Sequence, residues 1–205
     1  VPDDNTAVPL YRLENALGHY LHFTRDADQR LTDISAPGSV RVHLHYEHPL
    51  GRLTEVKRIV DQQAVETLVR YRYDDSGQLT EVINRNGDSV RQFHYAEGLM
   101  VRHSNALGLI CEYRWQTQTD KPRVVEHWTS DGEHYHFRYD FAQRTSWATD
   151  VLGRELEIHY NEDHRVVASR DFGGERYGMD FDASGNIIGF TLPDGKALAE
   201  AIRAS

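Results

Sequence analysis

Apolar and polar side chains alternate with a period of two along much of this chain. Tyr135, Phe137 and Tyr139 are set against His134, His136 and Arg138, and Leu156, Ile158 and Tyr160 against Glu155, Glu157 and His159. A two-residue period belongs to a strand with one apolar and one polar face, so the apolar phase is expected to be buried. The same alternation predicts strands near residues 40–46, 66–73, 79–84, 89–95, 110–115, 133–139, 155–160 and 176–181. Helix is expected to be marginal and confined to the Ala- and Leu-rich stretch from Lys196 to Ala201.

The alternating stretches recur. The aromatic that closes one of them, Tyr73, has counterparts at Phe23, Tyr46, Tyr95, Trp115, Tyr139, Tyr160 and Phe181. A second marker runs in phase, with Gly18, Gly38, Gly87, Gly108, Gly132, Gly153, Gly174 and Gly195 near the starts of successive units. One glycine is missing between Gly38 and Gly87, where Asp61-Gln62-Gln63 stands instead. Two markers in register predict eight units over residues 18–195, preceded by a lead-in strand or partial repeat at 1–17 and followed by a truncated repeat or tail at 196–205.

Each unit reads as a β-hairpin. Turns such as Asp74-Asp75-Ser76-Gly77 and Asp182-Ala183-Ser184-Gly185 place an Asp that can bond the backbone ahead of it and a Gly that can take positive φ. The outgoing strand then reads Leu79-Thr80-Glu81-Val82 or Leu53-Thr54-Glu55-Val56. Gln29, Gln143 and His164 replace the turn glycine in three units, where longer turns or turns of another type are expected.

Composition narrows the function classes. A formal charge of -9 with dispersed Arg argues against nucleic-acid binding, which needs a concentrated basic surface. No apolar run reaches the roughly 18 to 20 residues of a membrane-spanning helix, so no membrane insertion by this segment is expected. The single cysteine, Cys111, shares the apolar phase of Leu109, Tyr113 and Trp115 and reads as a small core residue. The N-terminus carries no charged-then-apolar leader, and Val1 in place of an initiator Met suggests a piece of a longer protein.

Four candidate chemistries have simpler explanations. His43 with His45, and His134 with His136, project from one strand face as metal ligands can, but neighbouring units put Arg72, Arg114, Arg138 and His159 in that phase, which predicts a ladder of polar side chains. Asp74, Asp75, Asp140 and Asp182 could be paired as acid and base, yet each sits at or near a turn where Asp satisfies local donors. Gly173-Gly174 precedes no helix that could bind phosphate, and it reads as a repeat junction. The regularly spaced tyrosines could stack on sugars, but they share the apolar phase and are expected to pack between hairpins. No catalytic, cofactor-binding or metal-binding residue is therefore assigned, no cofactor is expected, and the segment is expected not to be an enzyme.

Tyr71-x-Tyr73-Asp74-x-x-Gly77-x-Leu79-Thr80, Gly51-Arg52-Leu53-Thr54, Leu107-Gly108 and Leu152-Gly153-Arg154 resemble the YD-repeat (Rhs) family. The resemblance spans about Gly18 to Gly195 and draws its specificity from repetition in register. It implies an all-β fold of tandem antiparallel hairpins forming one long, curved sheet, a segment of a hollow β-cocoon. Bacterial members, among them type VI secretion effectors and the C subunit of insecticidal toxin complexes, enclose a toxic C-terminal domain in such a shell; animal teneurins have related shells. The bacterial cages close with self-cleaving aspartates in an Asp-Pro-x-Gly-Leu setting, whereas Leu192-Pro193-Asp194-Gly195 reads only as a repeat boundary.

The expected function is thus a non-catalytic wall segment that encapsulates a toxic effector domain of a bacterial polymorphic toxin, in a type VI or related secretion system. The alternative is an extended β surface that binds glycans or a cell-surface protein. Expected partners are the remainder of the shell, its enclosed toxin domain and a secretion chaperone or spike protein. The expected location is the bacterial cytoplasm before export and the exterior afterwards. A cut wall exposes two edges, so the hairpins around Phe23 to Ile34 and Phe181 to Phe190 are expected to pair with adjacent repeats or with another copy.

Overall fold

A computed structural model describes residues 9–38 and 40–196; the stretch expected to turn helically beyond Lys196 lies outside the described residues. Among the described residues there is no helix, and the strands are all antiparallel to the neighbours they pair with. The chain divides into two compact units, one formed by residues 1–94 and 103–108, the other by 95–102 and 109–205.

The first unit begins with β1 (Arg12–Glu14), β2 (Tyr20–Arg25), β3 (Leu31–Ala36) and β4 (Val40–His45). It continues through β5 (Glu55–Val60), β6 (Gln63–Tyr73), β7 (Leu79–Asn84) and the start of β8 (Ser89–Ala96). Each of these strands pairs with the one before it. The chain passes between the units along β8 and β9 (Leu99–Asn105). The second unit runs from β10 (Ile110–Gln116), β11 (Arg123–Thr129), β12 (His134–Asp140) and β13 (Thr145–Thr149) to β14 (Glu155–Tyr160), β15 (Val166–Arg170), β16 (Arg176–Phe181) and β17 (Ile187–Thr191). It has the same sequential pairing. The strands expected from alternation are found within a few residues of their predicted bounds, although β5 starts at Glu55 and not at Leu53.

One turn recurs at the reversals. In Asp74-Asp75-Ser76-Gly77-Gln78, Gly77 N–H donates to Asp74 O (2.9 Å) and Asp74 N–H to Gln78 O (3.0 Å). The Asp74 carboxylate meanwhile accepts from Ser76 N–H (3.0 Å) and Gln78 N–H (2.9 Å). Asn15, Asp26, Asn84, Asp150, Asn161 and Asp171 make the same pair of side-chain bonds to the backbone two and four residues ahead. A short acceptor at the strand end satisfies donors that no neighbouring strand reaches.

This cap explains two departures from the sequence reading. Gln29 (φ 64°) and His164 (φ 60°) adopt the left-handed conformation and keep the short turn, with no added residues. Their amides reach Asp26 O and Asn161 O at 3.0 and 3.1 Å, as Gly77 reaches Asp74 O. A left-handed side chain costs on the order of 1 to 2 kcal/mol, and several backbone hydrogen bonds offset it. In the third unit it is Arg144 (φ 51°), and not Gln143, that turns left-handed. Where a glycine was missing, Asp61 (φ 48°) and Gln62 (φ 64°) form a two-residue turn, the type I′ geometry that matches strand twist, with Val60 opposite Gln63.

The expected buried face is only half-buried. Leu44, Ile83 and Cys111 are the buried apolar side chains among the described residues, and Tyr135, Phe137, Tyr139, Leu156, Ile158 and Tyr160 are intermediate. Within each unit, side chains are covered from their flanks by cross-strand neighbours. Tyr113, His127 and Tyr135 stand in register on successive strands, with ring centroids 4.8 and 6.2 Å apart.

The repeating aromatics have a second task that alternation does not reveal. Tyr46 Oη donates to Leu31 O (2.8 Å), Tyr73 Oη to Leu53 O (2.7 Å), Tyr139 Oη to Val124 O (2.7 Å), and Trp115 Nε1 to Met100 O (2.8 Å). Each bond ties the incoming strand of one hairpin to a carbonyl on the outgoing side of the hairpin before it. Arg side chains that follow a turn cover such rings, Arg30 over Tyr46 at 5.4 Å and Arg165 over Phe181 at 5.7 Å.

Replacing Tyr139 with Ala is therefore expected to cost roughly 2 to 4 kcal/mol, and with Phe about 1 kcal/mol, since packing and one hydrogen bond are lost separately. His136→Ala, on the exposed polar phase, should stay under about 1 kcal/mol. Denaturant unfolding checks the order; a larger loss for His136→Ala would mean that the apolar phase does not hold the hairpins together.

Candidate functional site

The densest set of chemically capable side chains lies on the polar phase of β10 to β12. Arg114, Glu126 and His136 are register partners on the three successive strands, and His134 precedes His136 by two residues and so shares its face. Glu126 is the centre. Its Oε1 lies 2.6 Å from His134 Nε2 and 3.9 Å from His136 Nδ1, and its Oε2 is paired with the Arg114 guanidinium. The Glu126 side chain is 12% exposed, against 40% for His134 and 58% for His136. Burial pushes its carboxyl up, but the His134 hydrogen bond and the charges of Arg114, His136 and His134 prevail and hold it below the ordinary carboxylate range. An open cleft of about 490 Å³ borders the cluster, lined also by Trp128, Thr129, Gly132 and Glu133.

The polar phase continues across the second unit. Arg138 covers the Trp147 ring at 3.8 Å and approaches Glu155 at 3.3 Å. Arg170 reaches Glu155 at 3.5 Å and Glu157 at 2.9 Å, and His159 Nε2 lies 2.6 Å from Glu157 Oε1. The Arg170 bond, against burial, holds the Glu157 carboxyl low. The first unit repeats the theme: Asp33 accepts from Arg41 (2.9 Å) and contacts His43 (3.1 Å), and Glu55 lies between Lys57 (2.6 Å) and Arg70 (2.9 Å). The expected ladder of polar side chains is present, and opposite charges meet along it.

The two histidine pairs differ. His43 and His45 meet edge to face at 4.6 Å, but His45 Nε2 is buried without a hydrogen-bond partner, and burial with the charges of Lys57 and His43 pushes its imidazole down. Among the described residues, only His134 and His136 join a carboxylate in a group of three potential metal ligands, all within 4.8 Å. Sequence reading named the two histidines and missed Glu126. Glu126 stands in phase with Val124 and Trp128, which gives it no mark within its strand, so it is readable as a partner only once the register of β11 and β12 is known.

The other candidates stay apart. Asp74 and Asp182 cap turns, and Asp140 accepts from Gln143 N–H at 2.9 Å in another. Asp75 is exposed at a turn tip, and Cys111 is buried on the apolar phase. Gly173-Gly174 lies in the turn capped by Asp171. The hydroxyls of Tyr46, Tyr73 and Tyr139 are engaged by backbone carbonyls, as packing between hairpins predicts.

No protein-family model matches the chain. Over 160 residues, 78% of its length, it is 38% identical to double-stranded DNA deaminase toxin A of Burkholderia cenocepacia. Over 142 residues, 67% of its length, it is 30% identical to toxin protein Tse5 of Pseudomonas aeruginosa. The chain spans 11% of the length of each of these relatives. Among solved structures, one of the Photorhabdus luminescens Tc holotoxin pore aligns over 92% of this chain and 12% of that one, at 13% identity and a TM-score of 0.45.

The compensated carboxylates make stability acid-sensitive. Asp33 and Asp150 are pushed up by burial, yet the Arg41 and His43 bonds to the first and the Arg154 and backbone bonds to the second hold both low in the folded chain. A folded-state pKa below the unfolded one gives stability that is present above about pH 4 and lost as pH falls through the folded value. Melting temperature should therefore hold from neutrality to about pH 5 and drop below about pH 4. Asp150→Asn, which keeps a turn acceptor without the charge, should flatten part of the drop; an unchanged acid limb would contradict the assignment.

Proposed function

Because the chain belongs to the YD-repeat (Rhs) family, we propose that it is a stretch of wall in the shell of a bacterial toxin and that this wall encloses the toxic domain. The observation that carries the reading is the hairpin array within each unit, in which strands pair with the strands before and after them and opposite charges meet on the polar phase. Such a sheet extends by adding hairpins, which suits a container. Three of the carboxylates considered for catalysis, Asp74, Asp140 and Asp182, serve turns, which supports a segment without chemistry of its own. The toxic activity is then assigned to another part of the protein, consistent with relatives of which this stretch matches a small share.

Export by a type VI or related bacterial system, from the cytoplasm and with a chaperone or spike protein as carrier, completes the proposal. The alternative of a glycan- or receptor-binding surface is weakened by Tyr46, Tyr73 and Tyr139, whose hydroxyls are held by backbone carbonyls. The test uses the full-length protein that carries this segment. Its toxic domain should resist added protease, and Tyr73→Ala with Tyr139→Ala should make that domain cleavable while this segment's own cleavage pattern changes only near the substitutions. A toxic domain that is equally cleavable with and without an intact wall would overturn enclosure.

A further inference from the structure

We propose that Glu126, His134 and His136 form a binding site for zinc or a similar imidazole-seeking divalent metal on the polar face of the second unit. Glu126 has more basic partners than its single charge requires. Arg114 already neutralises Glu126 through Oε2, yet two imidazoles also face its other oxygen, at 2.6 and 3.9 Å. Charge balance requires one of these three groups. A metal ion uses the remaining two, because an imidazole can offer a lone pair where an Arg in that place could not.

The placement is fixed by the sheet. His134 and His136 share a face of β12, and Glu126 stands directly across from His136 on β11, so the ligands come from adjacent paired strands and not from a loop. Zinc bonds of about 2.0 to 2.1 Å put neighbouring ligand atoms a little over 3 Å apart in tetrahedral geometry. The three donors lie within 4.8 Å of one another, so side-chain rotations suffice, and both histidines are exposed enough to make them. Arg114 on the far oxygen of Glu126 serves as the outer partner that orients a ligating carboxylate. Three protein ligands leave a coordination position open toward the cleft lined by Trp128, Thr129 and Glu133, available to water or to a donor from another molecule. The His43 and His45 pair provides an internal comparison, since it is not part of such a three-ligand group among the described residues.

The test is zinc titration by calorimetry of the chelator-treated chain near neutral pH. One zinc per chain should bind, with a rise in melting temperature. His136→Asn and Glu126→Gln should each weaken binding at least tenfold, and His43→Asn should leave it unchanged. Diethyl pyrocarbonate labelling of the unsubstituted chain, read by mass spectrometry, keeps the test decisive if a variant fails to fold: zinc should protect His134 and His136 selectively. No binding heat, binding retained in the His134→Asn/His136→Asn variant, or zinc protection at other histidines would each overturn the site.

Discussion

A sheet made of short hairpins must reverse its backbone again and again, and at each reversal amide groups leave the ladder with no strand to receive them. At Asn15, Asp26, Asp74, Asn84, Asp150, Asn161 and Asp171 the side chain receives them. Its oxygen accepts from the residues two and four ahead, and the left-handed residue three ahead closes the turn against the carbonyl of the Asp or Asn. The cap relies on a short acceptor at the strand end, so Gln29 and His164 can stand where glycine would be easier. It also sets the length of every loop it closes, and loop length fixes strand register. The cross-hairpin bonds of the aromatics and the opposite-charge contacts on the polar phase both require that register.

Without a deep core, the units draw on contacts that pass between consecutive strands. Tyr46, Tyr73, Tyr139 and Trp115 each bond a backbone carbonyl of the preceding hairpin, and each such bond contributes on the order of 1 kcal/mol beyond the packing of the ring. The ion pairs are partly exposed and individually weak, as surface pairs generally are. Their value lies in consistency: a shift of β14 against β15 would separate Glu157 from Arg170, and a shift of β13 against β14 would move Trp147 from beside Glu157. An array made this way resists slippage more than it buries surface.

The fold was legible because alternation and the two in-phase markers are local. Tyr139 and Gly153 announce their places without knowledge of distant residues, and Asp74 declares its turn by its neighbours. Depth of burial was not legible, because alternation reports which face is apolar and not whether anything covers it. The two-residue turn at Asp61 and Gln62 was hidden because residues other than glycine take positive φ there. Glu126 was hidden for another reason: its relation to His134 and His136 depends on the register between two strands, set by the Thr129 to Glu133 turn, and no pattern within either strand contains it.

The central claim is that side-chain capped turns hold this coreless array in register, and residue-resolved hydrogen exchange addresses it most directly. The capped amides of Arg30, Gln78, Asp88, Arg154, Arg165 and Glu175 belong to surface turns, where free loop amides would exchange freely. The account predicts that they are protected to about the level of the adjoining strand amides, and that Asp74→Ala opens Gln78 and the neighbouring ends of β6 and β7 together, whereas Asp74→Asn does not. Rapid exchange of these turn amides in the unsubstituted chain, with the strands still protected, would contradict it.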